Sequence, residues 1–226
     1  MLSSIAIHLL MGLGLVMAEP IKVIQQRQFG EGVVEAGSIQ VRDAEVEARA
    51  LKNIQALATF DTLIANTNPT SSIGSYGALT WQGIAVAKVG RAPVIGIIPI
   101  SANNVAVYGT ISQTISNIAT VSAVYPGSKV ASFSLQSFYY ACTASFGKLP
   151  TECRVGVAGY DKKNILIAYK AFNFPSSTGF ATARMSTATL SSAFKGLAYV
   201  KFSTTYLNNI PGVTVLDNMQ YTITTA

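Results

Sequence analysis

Histidine is almost missing from this sequence: its single copy, His8, sits in an apolar run at the N-terminus. With that run removed as a leader, no imidazole remains. Ser-His-Asp and Cys-His nucleophilic systems, His-ligated zinc or copper and imidazole acid–base catalysis are then excluded. Carboxylates are scarce too. From Ala58 onward there are four: Asp61, Glu152, Asp161 and Asp217. A glycosidase needs two of them facing each other across a cleft, about 5–10 Å apart. Asp61 and Asp217, each on a strand near one end of the domain, are the pair that could meet. Glu152 stands beside a cysteine, and Asp161 falls in a Tyr160-Asp161-Lys162-Lys163 turn, where solvated roles are the ordinary ones. No phosphate loop or dinucleotide fingerprint occurs, and the glycines are scattered as turn residues. Two cysteines cannot make a metal knuckle, which needs four suitably spaced Cys or His ligands.

What is present begins with an export signal. Leu2 to Met17 is a long apolar run broken by Ser3, Ser4, His8 and two glycines. Its most hydrophobic part, Leu9 to Val16, is shorter than the roughly 20 apolar residues that span a bilayer. Val16 and Ala18 precede Glu19 and Pro20, so residues 1–18 read as a signal peptide cut after Ala18. The run has no preceding Lys or Arg; a retained anchor or a buried helix is the competing reading. No later stretch is long and apolar enough to cross a membrane, and the expected product is secreted and extracellular. Cys142 and Cys153 agree with an oxidising compartment, where a disulfide is the default. Eleven positions apart across a Gly147-Lys148-Leu149-Pro150 turn, they would contribute about 3 kcal/mol by closing the loop.

Composition changes near residue 57. Segment 19–57 holds six acids against five bases. Over Val41 to Leu57 its Ala, Glu, Arg and Leu content, with Val46, Ala50, Ile54 and Leu57 at helical spacing, predicts a short helix. That helix either packs on the main domain or belongs to a poorly ordered leader or pro-segment. From Ala58 to Ala226, Ser, Thr, Gly, Val, Ile and aromatics dominate. Strand-like runs are Leu79–Ala87, Val94–Ile98, Asn104–Tyr108, Val130–Thr143, Cys153–Tyr160, Ile165–Phe174, Leu197–Thr205 and Val213–Thr224. The expected fold is all-β: a two-layer antiparallel β-sandwich or jelly roll over 58–226, preceded by the signal peptide and the short helical segment. Eleven bases against four acids give this domain a charge of +7. The charges are spread out and the chain is exported, so nucleic acid is not an expected partner. A basic surface suits anionic walls, lipids or acidic polysaccharide, or serves solubility alone.

Several segments together resemble a family of uncharacterised fungal secreted proteins: Thr59-Phe60-Asp61, Tyr76-Gly77-Ala78-Leu79-Thr80-Trp81 and Ser101-Ala102-Asn103-Asn104-Val105-Ala106. Phe133 to Cys142, Cys153 through Tyr160, and Val215-Leu216-Asp217-Asn218-Met219 complete the set. The resemblance implies a jelly roll similar in shape to carbohydrate-binding modules and galactose-binding-like domains. It implies no activity, since fold is weak evidence of function. In such jelly rolls an acid near the first strand and an Asp on the last often share a structural calcium, which would fall on Asp61 and Asp217. Calcium needs six to eight oxygens; the alternative is that both acids cap turns or accept backbone hydrogen bonds.

Sugar-binding faces stack aromatic rings on the CH faces of pyranoses, and Tyr76, Trp81, Phe138, Tyr139, Tyr140 and Tyr160 are available. In Phe138-Tyr139-Tyr140 successive side chains must point to opposite faces of a sheet. The alternative for most of them, Trp81 above all, is the core. Tyr76, Tyr139, Tyr140 and Tyr160 are the expected ligand contacts, with no catalytic residue and no cofactor beyond that calcium. The function expected is a secreted, non-catalytic binding protein for cell-wall polysaccharide or another carbohydrate. A secreted effector or elicitor acting on a host protein, membrane or surface component is the alternative, and a carboxylate-dependent hydrolase a third.

Overall fold

In a computed structural model of the chain, the residues described are 52–65, 71–91, 94–109, 118–144, 149–175, 182–206 and 211–225. The expected signal peptide and most of segment 19–57 lie outside them. Among the described residues every regular element is a strand. In chain order they are β1 (Lys52–Ala58), β2 (Gly74–Tyr76), β3 (Leu79–Gln82), β4 (Ala85–Lys88) and β5 (Ile97–Ile98). Next come β6 (Asn104–Gly109), β7 (Ala119–Ser122), β8 (Val130–Ala144), β9 (Leu149–Pro150) and β10 (Cys153–Tyr160). The last are β11 (Leu166–Phe174), β12 (Ala183–Arg184), β13 (Ser186–Thr189), β14 (Tyr199–Tyr206) and β15 (Gly212–Thr225).

Two antiparallel sheets form a jelly-roll sandwich. The seven-stranded sheet runs β13-β8-β15-β6-β4, with β1 along the far half of β15 and β9 on the end of β8. The six-stranded sheet runs β11-β10-β14-β7-β3-β2. A short parallel pair, β5 with β12, is separate. Strand alternation places the core between the sheets. Phe138 and Tyr140 of β8 face inward, and Tyr139 between them does not. The Phe138 ring meets Phe172 and Phe202 of the opposite sheet at centroid distances of 5.9 and 5.6 Å. Val155 and Val157 of β10 are fully buried beneath the same layer. Cys142 on β8 and Cys153 on β10 form the expected disulfide, Cα to Cα 6.2 Å, and it joins the two sheets.

Three expectations change. Lys52 to Leu57, expected within a helix, is strand β1, paired residue for residue with β15 from Lys52↔Thr225 to Ala58↔Met219. Ile54 and Leu57, expected on one apolar helical face, are exposed; the free edge of β15 outweighs a weak helical propensity. The sandwich therefore takes in residues before Ala58. Leu79–Ala87, expected as one strand, is two strands in different sheets. The chain changes layer at Gly83, whose φ is +66° and whose N–H donates to Ser72 Oγ at 2.9 Å. Only Ile97–Ile98 of Val94–Ile98 is a strand, because Val94 bridges instead to Val89 and Arg91.

Candidate functional site

The six-stranded sheet carries a trough on its outer face. β10 lies between β11 and β14. Since Val155 and Val157 point into the core, Arg154, Gly156, Ala158 and Tyr160 point out. Register aligns one row of residues across four strands: Tyr169 opposite Ala158, Ala158 opposite Lys201, Lys201 opposite Thr120. The small Ala158 is the floor between an aromatic wall and a cationic one. Ser203, opposite Gly156, continues the β14 side with a neutral hydroxyl. A Cβ added at Gly156 would come 2.7 Å from Ser203 Oγ and 3.1 Å from the Tyr169 hydroxyl, so both groups lean over that glycine. A register shift at Gly159/Tyr160 sets Tyr160 opposite Leu166; such bulges re-aim side chains. Tyr160 and Leu166 close one end of the trough.

A cavity of about 490 Å³ occupies this place, lined by Ala158, Tyr160, Leu166, Tyr169, Lys201 and Ser203 on its outer side. It continues past the end of β7, which pairs with β14 only over Tyr199–Phe202. There Tyr108, Thr204 and Tyr206 line it. Their hydroxyls join a chain: Tyr108 to Thr204 at 2.8 Å, Thr204 to Thr214 at 2.7 Å, and Thr214 to Tyr206 at 2.9 Å. Burial pushes the Tyr108 phenol up and the Tyr206 phenol to about 12, more strongly than the threonine hydroxyls pull them down. All four groups are thus neutral donors and acceptors at physiological pH. At the outer wall, Lys201 Nζ donates to Asn164 Oδ1 at 3.0 Å and sits 4.5 Å from the Tyr160 ring centroid. Among the described residues it meets no carboxylate. Asp161, next to Tyr160 in sequence, is used in the β10–β11 turn, where its Oδ1 accepts the N–H of Lys163 and of Ile165 at 2.8 Å.

The sequence-predicted residues do not gather here. Tyr160 lines the cavity. Tyr140 is 3% exposed and its hydroxyl donates to the Asn173 carbonyl at 2.9 Å; it is a core residue, correcting its place among the ligand contacts. Tyr139 is half-buried on the outer side of the other sheet, opposite Asp217. Tyr76 packs on Phe60 and Trp81, and its hydroxyl accepts the Phe60 N–H. Tyr169, Lys201 and Tyr206 were not singled out in the sequence. The alternation Ile165, Ile167, Tyr169 marks a strand there, but which strands flank it, and so what Tyr169 faces, is a matter of sheet order.

Asp61 and Asp217 grip the same segment, at its two ends. Asp217 is fully buried. Its Oδ2 accepts the N–H groups of Ile100 and Ser101, and its Oδ1 accepts the Ser101 hydroxyl and the Asn218 N–H, all at 2.8–2.9 Å. Asp61 Oδ1 accepts the Asn104 N–H at 3.1 Å, and Ser101 Oγ also reaches the Thr59 carbonyl. Three of the segments behind the family resemblance meet in this clasp. As arranged, it does not fit calcium: four hydrogen-bond donors occupy the directions in which Asp217 would offer oxygen lone pairs to a cation. Nor do the acids fit hydrolysis in the cavity, since no carboxylate is among its described lining residues.

Comparison with protein-family models finds no match, and comparison with curated proteins finds none. Among solved structures, the chain is similar to a DUF4465 family protein from Bacteroides caccae, at 10% identity and a TM-score of 0.47, over 75% of this chain and 92% of that one. It is also similar to the K2 cleaved adhesin domain of Lys-gingipain, at 16% identity and 0.36, over 74% and 97%. A third is the enzymatically active domain of bacteriophage CBA120 tailspike protein 4, at 13% identity and 0.35, over 69% of this chain and 21% of that one. The fold stated above rests on the strand pairings themselves.

Proposed function

We propose that this chain is a secreted, non-catalytic binding domain that takes up a saccharide in the trough between Tyr169 and Lys201. The observation that carries the reading is the geometry of that cavity: an exposed tyrosine face, a floor of small side chains, and neutral hydroxyls beyond. A sugar ring presents an apolar CH face and a rim of hydroxyls, and amphipathic tyrosines match both. Concave sites with a few converging polar groups are the usual form of small-ligand pockets. The inter-sheet disulfide supports an oxidising compartment. Among the described residues no helix is long and apolar enough to cross a membrane.

Pull-down on insoluble chitin, glucan, cellulose and pectin tests the reading. The chain should be retained on at least one, and Tyr169→Ala should release it without lowering the melting temperature. Retention on none of the four, or full retention by the Tyr169→Ala variant, overturns it.

A further inference from the structure

The walls of the trough differ in charge, and this selects among saccharides. Lys201 is half-buried, with its ammonium held by the Asn164 amide oxygen and the Tyr160 ring. Both partners are neutral, so among the described residues no anion compensates its positive charge. One amide oxygen and one ring face leave an N–H free to turn into the cavity. Arg154 is exposed on the same face of β10, four residues before Ala158, and therefore about 13 Å along the strand from the Lys201 row. Lys162 and Lys163 are exposed in the turn beyond Tyr160. Lys201 is the cation that lines the cavity, and Arg154, Lys162 and Lys163 flank it along β10 without lining it. Asp161, beside Tyr160, is committed to backbone N–H groups, while Glu152 stands two residues before Arg154.

We infer that the ligand is an acidic polysaccharide, a chain of carboxylate-bearing sugar residues lying along β10, with Lys201 binding one carboxylate and Arg154 another. This rests on the saccharide reading of the cavity and adds its charge class. Tyr169 supplies stacking, which any pyranose would use; Lys201 and Arg154 supply cationic donors, whose hydrogen bonds are strongest to an anionic acceptor.

Polygalacturonate and its fully methyl-esterified form separate the two contributions, because they share rings and differ in charge. Calorimetry or affinity electrophoresis should give binding about tenfold tighter to the acid form, the size of one charge-assisted hydrogen bond, and the preference should fade in high salt. Lys201→Gln with Arg154→Gln should erase the preference while leaving residual binding to the ester, and Lys201→Arg should keep it. Tyr169→Ala should weaken both polymers together. Equal binding to both polymers, or a preference that survives the double substitution, overturns the charge assignment and leaves the saccharide site standing. Binding to neither polymer nor to any neutral one, or binding only to phosphatidylserine vesicles, overturns both.

Discussion

Asp217 shows how a residue's type can be legible while its role is not. An aspartate amid the apolar run of the last strand invites a metal or a catalytic reading. In the fold it is a hydrogen-bond hub that fastens the Ile100–Ser101 backbone to β15. A bulge makes this possible: Asn218 has φ +43°, and register slips between Asp217 and Gln220. Asp217→Ala would strand the Ile100 and Ser101 amides, so it should cost about 3 kcal/mol or more in urea unfolding. Calcium should leave the melting temperature of the native chain unchanged, and chelator likewise. Burial lifts the carboxyl above its ordinary 3.8, against the pull of its four donors. The folded chain therefore holds that proton more tightly than the unfolded one. The associated stability is complete below the unfolded value and is lost as pH rises through the folded one. Asp217→Asn, which cannot titrate, should remove this acid-side slope.

Among the elements, β14 decides the most. Its first half is clamped between β10 and β7, and its second half ends in the hydroxyl chain with β6 and β15. Tyr206 is pushed up to about 12 from 10.0. Its protonated form is favoured by the fold, so this contribution is whole below about pH 10 and disappears as pH climbs through about 12. Tyr206→Phe should cost about 1 kcal/mol at neutral pH, for the lost bond to Thr214, and should flatten the alkaline fall of stability followed by urea unfolding. An unchanged alkaline slope would show that Tyr206 is already solvated. Most strands could be anticipated from alternation and turn residues, β10 and β11 with bounds close to those found. Lys52–Leu57 could not: its composition favours helix, and only the vacant edge of β15 makes it a strand. β7 is four residues long, too short for a pattern to rise above background.

At the scale of the whole molecule, the disulfide does more than close a short loop. It ties the long β8 of one sheet to β10, second from the edge of the other, where both cysteines are buried. Replacing Cys142 and Cys153 together by alanine should lower stability by about 3 kcal/mol, read as a lower urea midpoint. A midpoint that stays put would mean that the aromatic interface of Phe138, Phe172 and Phe202 alone holds the sheets together. The net charge belongs to this scale too. Bases outnumber acids throughout the sandwich, yet their use depends on place: Lys170 Nζ is spent on the Thr189 carbonyl, whereas Lys201 faces the cavity.

By itself the sequence determined the all-β class, the pairing of its two cysteines and the scarcity of histidine and of carboxylates after Ala58, because these follow from composition, local alternation and simple counting. Tertiary structure alone decided which tyrosines meet solvent, that two distant aspartates grip one loop, and that Tyr169, Ala158 and Lys201 stand in one row. Those facts depend on strand order and register across the sheets, and a one-residue slip, which leaves composition untouched, would turn each side chain to the opposite face.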